Sequence, residues 1–194
     1  SLDLRFEQSC NALAPPLRGA IHWRADDPTA IPGPQYPPPA GLWEPPANVD
    51  PGSGNLLYIE APAGEPATGG GTFLLTAAAY FESRTYADGS VGVGAQNSSQ
   101  SFLVQFDRMA SLASLHPGYY AKAEKLFHHN PTVPGMEILR SSIGSCQTVS
   151  GWFVIDSITY TDSKVTAIDA RFEQRCNGVA TALNGRVRWS GISN

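Results

Sequence analysis

The chain has 194 residues and a formal net charge of -4, from 13 Lys and Arg against 17 Asp and Glu. Charged residues make up only 15% of it, which excludes an acidic disordered tail and a coiled coil. The mild negative charge excludes the basic surface that nucleic-acid binding requires. The 19 glycines and 16 prolines exceed the usual share of turn-forming residues. This composition favours an all-β domain with long loops.

The first 24 residues predict a β-hairpin. Residues 2–10 place Leu4 and Phe6 on one face and Arg5 and Glu7 on the other, which is the period-two alternation of a half-buried strand. The second strand ends at Trp23. An isolated hairpin is only marginally stable in water, so this one is expected to need a partner surface.

A proline-rich segment follows. Residues 25–53 include Pro37-Pro38-Pro39 and show no periodicity. They predict a polyproline-like linker, which spans up to about 3.1 Å per residue when it is extended.

Strand and turn signals alternate through residues 54–194, which predicts one complete β-domain. We expect an antiparallel β-sandwich or barrel of about eight strands. The segment Tyr119–Phe127 predicts a short helix. The longest apolar stretch, residues 72–81, is too short to cross a bilayer. The predicted strands are Asn55–Glu60, Thr72–Glu82, Ser90–Ala95, Ser101–Asp107, Met136–Ser141 and Gly151–Tyr160, followed by a hairpin over residues 168–189.

This last hairpin repeats the first. Residues 168–189 align with residues 2–23 without a gap at an offset of 166, and 11 of the 22 positions are identical. One structural unit is therefore expected twice in the chain. The identical pairs are Asp3/Asp169, Arg5/Arg171, Phe6/Phe172, Glu7/Glu173, Gln8/Gln174, Cys10/Cys176, Asn11/Asn177, Ala14/Ala180, Leu17/Leu183, Gly19/Gly185 and Trp23/Trp189.

The three cysteines fit no zinc-binding pattern, because no Cys-x-x-Cys occurs. A bridge between Cys146 and Cys176 would close a loop of about 30 residues and stabilise the domain by roughly 3.5 kcal/mol. Cys10 copies Cys176 but has no counterpart of Cys146, so we expect an orphan thiol or a bond to another chain. The alternative is three reduced thiols buried in a cytosolic protein.

Two cysteine motifs carry a family resemblance. Gly144-Ser-Cys-Gln-Thr-Val-Ser-Gly and Arg171-Phe-Glu-Gln-Arg-Cys-Asn-Gly resemble a family of uncharacterised secreted bacterial β-domains with GCNTLTG and FEQHCEG at these places. The resemblance covers residues 54–190 as one domain and residues 2–23 as the tail end of a second. It implies a tandem-repeat module at the bacterial cell surface, with its two motif cysteines, Cys146 and Cys176, paired.

This chain also departs from the family pattern. Gln147 replaces an Asn, and Arg175 and Ser9 stand where the family has His. Any role of that His is therefore absent here.

No catalytic residue, metal site or cofactor is predicted. His128 and His129 are adjacent in a loop, which favours exposure over metal binding. Gln174 points inward and is expected to bond to loop backbone, because buried polar groups need partners. Tyr119 and Tyr120, in a turn, are the candidates for a sugar-stacking platform.

The sequence therefore favours a non-enzymatic, extracellular structural or adhesive module. We expect the N-terminal hairpin to complete or extend the sheet of a neighbouring subunit and to propagate into a fibre. Leu4, Phe6, Cys10 and Trp23 would make that contact. The alternatives are a truncated preceding domain, a carbohydrate-binding module that uses Tyr119 and Tyr120 on surface polysaccharide, and a hydrolase with a loop-built site.

Overall fold

The all-β prediction is confirmed. A computed structural model describes residues 1–9, 15–24 and 32–191, and these contain twelve strands and no helix. The described residues therefore contain no helix that is long and apolar enough to cross a membrane. The chain forms two compact units, Ser1–Ile31 and Pro32–Asn194. The first holds β1 (Leu2–Gln8) and β2 (Leu17–Trp23); the second holds β3 (Leu56–Ala61), β4 (Gly71–Leu75), β5 (Tyr80–Thr85), β6 (Val91–Gln96), β7 (Ser101–Asp107), β8 (Gly118–Lys125), β9 (Gly135–Arg140), β10 (Val149–Thr161), β11 (Lys164–Cys176) and β12 (Leu183–Ser190).

The second unit is one curled ten-stranded sheet, in the order β4-β3-β12-β11-β10-β8-β9-β7-β6-β5. Every neighbouring pair is antiparallel except β8 and β9. The curl brings the start of β11 to the end of β5, where the N–H of Val165 donates to Oγ1 of Thr85 at 2.8 Å. The result is a sandwich-like or barrel-like fold.

Aromatic rings fill the centre of the core. Phe106 lies 4.6 Å from Phe153 and 6.0 Å from Phe172 between ring centroids, and Tyr120 stacks on Phe153 at 4.5 Å. All four side chains are fully buried. Because burying one large apolar side chain is worth about 1.5–3 kcal/mol, this cluster is a major source of stability.

The predicted helix over Tyr119–Phe127 is wrong, because Gly118–Lys125 forms strand β8. The buried side chains Tyr120 and Ala123 are three residues apart, which is a helical spacing. A β-bulge causes it: β8 has one more residue between them than the facing part of β10, and Lys122 has a φ of 57°. The extra residue changes the inward period from two to three.

The prediction of one long strand over Thr72–Glu82 is also wrong, because the structure has two strands there. Thr72–Glu82 divides into β4 and β5 at a turn, where the N–H of Ala79 donates to the carbonyl of Thr76 at 2.8 Å. The turn consists largely of alanine, which carries no turn signal in the sequence. This division and β8 bring the large sheet to ten strands.

Part of the proline-rich segment packs on the outer face of the large sheet. Gln35 and Tyr119 exchange two main-chain hydrogen bonds of 2.9 Å. Trp43 donates from Nε1 to Glu60 at 2.6 Å. Residues 25–31 of the predicted linker lie outside the described residues, whereas residues 32–53, which we call the strap, belong to the second unit.

Charge pairs hold the C-terminal part of the strap. Asp50 accepts from Arg186 at 2.9 Å and from Arg188 at 3.1 Å, and Arg186 also pairs with Asp169 at 2.7 Å. Burial raises the pKa of the Asp50 carboxyl, but the Gly52 N–H and the arginines outweigh it and lower that pKa overall. The strap is therefore attached to the outward face of β11 and β12.

Gln174 joins two strands from inside the core. Its side chain is fully buried, accepts from the N–H of Ile138 and donates to the carbonyl of Ile138, both at 2.8 Å. The expected bond to backbone is confirmed, but the backbone is that of strand β9 rather than of a loop.

Replacing Gln174 with alanine leaves both main-chain groups of Ile138 without these partners. Each unsatisfied buried group costs about 1–3 kcal/mol, so we expect the free energy of unfolding to fall by roughly 2–4 kcal/mol. Denaturant unfolding of Gln174→Ala measures this. The matched control is Gln8→Ala, at the repeat position in the first unit. It should leave the second unit's unfolding unchanged, and equal losses in both variants would contradict the assignment.

Candidate assembly surface

The two hairpins have the same register, residue for residue. Phe6 faces Gly19 in β1–β2, and Phe172 faces Gly185 in β11–β12. All seven pairs of β1–β2 recur in β11–β12 at the offset of 166. The repeat found in the sequence is therefore a repeat of structure.

Each hairpin uses a phenylalanine ring to cover the facing glycine. A Cβ atom on Gly19 would come within 2.4 Å of Cζ of Phe6, and one on Gly185 within 2.5 Å of Cζ of Phe172. A side chain at either position would have to displace the ring, and at Gly185 it would also meet the carbonyl oxygen of Tyr58 at 2.6 Å. The two hairpins thus share an internal packing device as well as a register.

The apolar faces of the two hairpins differ in exposure. Phe172 is 0% exposed and Trp189 is 3% exposed, whereas Phe6 is 41% and Trp23 is 54% exposed. We call the six exposed apolar side chains of β1–β2 the hairpin face. They are Leu2, Leu4, Phe6, Leu17, Ile21 and Trp23, and their repeat counterparts Ile168, Ala170, Phe172, Leu183, Val187 and Trp189 are all buried.

The opposite face of β1–β2 is polar. Arg18 pairs with Glu7 at 2.7 Å, and His22 pairs with Asp3, all four side chains being more than half exposed. Exposed pairs of this kind contribute little stability. The hairpin therefore has one hydrated face and one apolar face, and a two-stranded sheet alone cannot bury the apolar one.

The predicted disulfide between Cys146 and Cys176 is confirmed, with 5.2 Å between the Cα atoms. It joins the segment before β10 to the end of β11. Asn177 strengthens the same junction, because its side-chain oxygen accepts from the N–H groups of Gln147 at 2.8 Å and Thr148 at 3.1 Å. Cys10 and Asn11, the repeat counterparts of Cys176 and Asn177, lie outside the described residues.

Tyr119 and Tyr120 do not form a common platform. Tyr120 is fully buried, donates from its hydroxyl to the carbonyl of His116 at 3.0 Å, and has its pKa raised to about 12 by burial. Tyr119 is partly buried beside Trp152, with 6.0 Å between ring centroids. Adjacent residues on a strand point to opposite sides, so the two rings are separated.

The two loop histidines also differ. His128 is exposed as expected, but the side chain of His129 is only 11% exposed and lies 3.5 Å from Asp107. Burial raises the pKa of the Asp107 carboxyl. No local pattern indicates this pair, because 22 positions separate its members.

A cavity of about 500 Å³ is a second feature that the sequence did not indicate. Tyr86, Arg108 and Tyr160 line it, together with Ser114 and Ser163. Burial raises the pKa of the Tyr160 hydroxyl to about 12. The lining comes from three distant segments of the chain, so no local pattern reveals it.

The chain matches no protein-family model, no curated protein and no solved structure. A functional assignment therefore depends on its own geometry, in which the hairpin face is the largest departure from an ordinary folded surface.

We expect Tyr120 and Tyr160 to ionise together near pH 12, because burial disfavours the charged phenolate. Their folded pKa values exceed the ordinary value of 10.0, so their stabilisation is complete below pH 10.0 and is lost as the pH rises through about 12. Phenolate absorbance during an alkaline titration measures this. Tyr120→Phe and Tyr160→Phe should each reduce the late step, and a full-sized step in the double variant would refute the assignment.

Proposed function

We propose that this protein is a non-enzymatic, extracellular structural and adhesive module that joins to neighbouring modules of the same fold through the hairpin face. One comparison carries the proposal. Six apolar side chains are exposed on β1–β2, and the matching six are buried on β11–β12. Strand addition to a sheet is a recurring mode of binding between molecules, and here it would also bring the apolar face against the core of the partner.

The disulfide supports an extracellular location. The bond between Cys146 and Cys176 encloses 30 residues of the domain. Such bonds persist in oxidising compartments and are rare in the cytosol. The resemblance of both cysteine motifs to secreted bacterial domains supports the cell surface as the particular place.

The geometry of the contact favours a chain of modules. The hairpin face and the surface that covers it are different patches, so the contact is heterologous and repeats head to tail. Phe6 and Trp23 are large aromatic side chains on the hairpin face, and residues of this kind dominate binding energy in protein interfaces. A fibre is the expected product at high concentration.

The proposal predicts that the intact chain self-associates and that Phe6→Ser weakens the association about tenfold or more. Losing one large buried side chain costs about 1.5–3 kcal/mol, and 1.4 kcal/mol is a factor of ten in Kd. Sedimentation velocity over a concentration series measures the change. Arg5→Ser is the matched control, because Arg5 lies beside Phe6 on the polar face.

Removing residues 1–24 should abolish the association and leave the second unit folded. Negative-stain electron microscopy of the unreduced intact chain should show filaments that the shortened chain does not form. An intact chain that stays monomeric at every concentration would disprove the proposal.

A second candidate function is carbohydrate binding in the cavity lined by Tyr86, Arg108 and Tyr160. Its volume of about 500 Å³ and its combination of aromatic rings with polar groups suit a small saccharide. Titration calorimetry with cell-wall polysaccharide fragments tests this. Tyr86→Ala should remove the heat of binding and Tyr119→Ala, outside the cavity, should not. The absence of heat in the parent chain would exclude this function.

A further inference from the structure

The second unit already shows what covers a hairpin of this kind. There, β11 pairs with β10 on one side and β12 pairs with β3 on the other. The hairpin therefore occupies a two-strand position between β10 and β3. We call this the closing position, because its occupant completes the sheet.

We infer that β1–β2 is the closing hairpin of a neighbouring domain of this fold, and that it fills the closing position of a domain whose own β11–β12 is missing. The inference rests on one part of the proposed function, that the hairpin face joins modules of the same fold. It differs from the rest by naming as partner not an intact chain but a body made of β3–β10 with an open closing position. The hairpin register, the inward side chains and three attachment residues carry it.

The inward side chains of the two hairpins fit the same space. Leu17, Ile21 and Trp23 correspond to Leu183, Val187 and Trp189, and Phe6 over Gly19 corresponds to Phe172 over Gly185. Ala170 is the inward position where the copies differ most, because its counterpart is Leu4. The remaining positions retain the character that the core of the second unit requires.

Three residues near the end of β11 attach the closing hairpin to the rest of the domain. Gln174 bonds to Ile138 in β9, Cys176 bonds to Cys146, and Asn177 bonds to the main chain of residues 147 and 148. The N-terminal copy has the same three residue types at positions 8, 10 and 11.

The differences between the copies explain why the partner must be open. Arg186 and Arg188 attach β12 to Asp50 of the strap, whereas the N-terminal copy has Ala20 and His22 at these positions. The N-terminal hairpin therefore lacks those ion pairs and does not displace β11–β12. The described residues contain two hairpins of this kind and one closing position, which β11–β12 occupies, so the N-terminal hairpin needs a position in another domain.

Cys10 is the repeat counterpart of Cys176, so we expect it to bond to Cys146 of the domain whose closing position is filled. Glutathione disulfide serves as the oxidant: one cysteine thiolate attacks it and releases one glutathione, and the second cysteine thiolate then displaces the other glutathione. Two protons and two electrons leave the cysteines, and the products are the Cys10–Cys146 disulfide and two glutathione thiols.

The first experiment refolds an acceptor with the intact chain in a glutathione buffer. The acceptor ends at residue 163 and carries Phe6→Asp and Cys10→Ser, so that its own hairpin cannot serve. We expect a disulfide-linked heterodimer on a non-reducing gel, with Cys10 of the intact chain bonded to Cys146 of the acceptor in peptide maps. An intact chain with Phe6→Asp should give at least tenfold less of it. Ser9→Asp should give an unchanged yield, because its counterpart Arg175 bonds, among the described residues, only to Glu173 and to the carbonyl of Ala180, within its own hairpin.

The second experiment replaces residues 168–189 of the intact chain by the sequence of residues 2–23, which needs no gap. We expect a folded second unit with Cys146 paired, cooperative unfolding and a lower Tm, since the ion pairs to Asp50 are lost. A companion version keeps Ala170 and Arg186. It thereby avoids the larger side chain of Leu4 in the core and retains one of the arginines that pair with Asp50. Failure of both versions to fold would overturn the inference.

The inference would also be overturned if the replaced chain folds but the first experiment yields no heterodimer. The hairpin sequence would then be compatible with the closing position, but the hairpin would not bind there from another chain. These results are separate from the self-association of the intact chain. A monomeric intact chain that still forms the heterodimer refutes the proposed self-association and leaves the open domain as the partner.

Discussion

A two-stranded β-sheet has no interior, so the side chains on its apolar face are buried only when another layer covers them. The closing hairpin β11–β12 is covered on both of its faces. The curled sheet buries Phe172 and Trp189 on its inner face, and the strap covers Arg171 on its outer face through Glu44 and the carbonyl of Trp43. The N-terminal hairpin has the same register but leaves its apolar face exposed. This face is therefore the part of the described surface that most needs a partner.

The order of elements along the chain suits an array of such domains. A closing hairpin over residues 2–23 is followed by the strap, and the strap is followed by the sheet that ends in β11–β12. A strap begins eight residues after Arg24, at Pro32. A hairpin of the kind that completes a domain is therefore followed, after a short connection, by the strap that covers the outer face of the second unit.

Much of this architecture is accessible from the sequence, because period-two alternation and a gap-free repeat are local signals. The register of both hairpins follows from Phe6 opposite Gly19 and its copy. What the sequence conceals depends on single residues or on distant contacts. The bulge at Lys122 gives the buried positions of β8 the spacing of a helix. Tyr120 is fully buried on this strand, although the sequence suggests an exposed turn.

The strap illustrates the second kind of concealment. Its composition predicts an extended linker, and nothing local distinguishes Asp50 from any surface carboxylate. Its role depends on Arg186 and Arg188, which are 136 and 138 positions away. The cavity between Tyr86 and Tyr160 is hidden for the same reason, since its walls meet only after the sheet has curled.

The strap also determines how the domain would bear tension. A pull on its N-terminal end reaches first the bond that Ser111 donates to the carbonyl of Pro32, and then the two hydrogen bonds between Gln35 and Tyr119. Trp43 on Glu60 follows, and the ion pairs of Asp50 come last. These attachments lie one after another along the chain, so they would peel in succession at low force and let out slack. Only after all of them had broken would the pull act along the main chain at the start of β3, at Leu56. The strap would therefore lengthen under tension before the main chain of β3 is pulled.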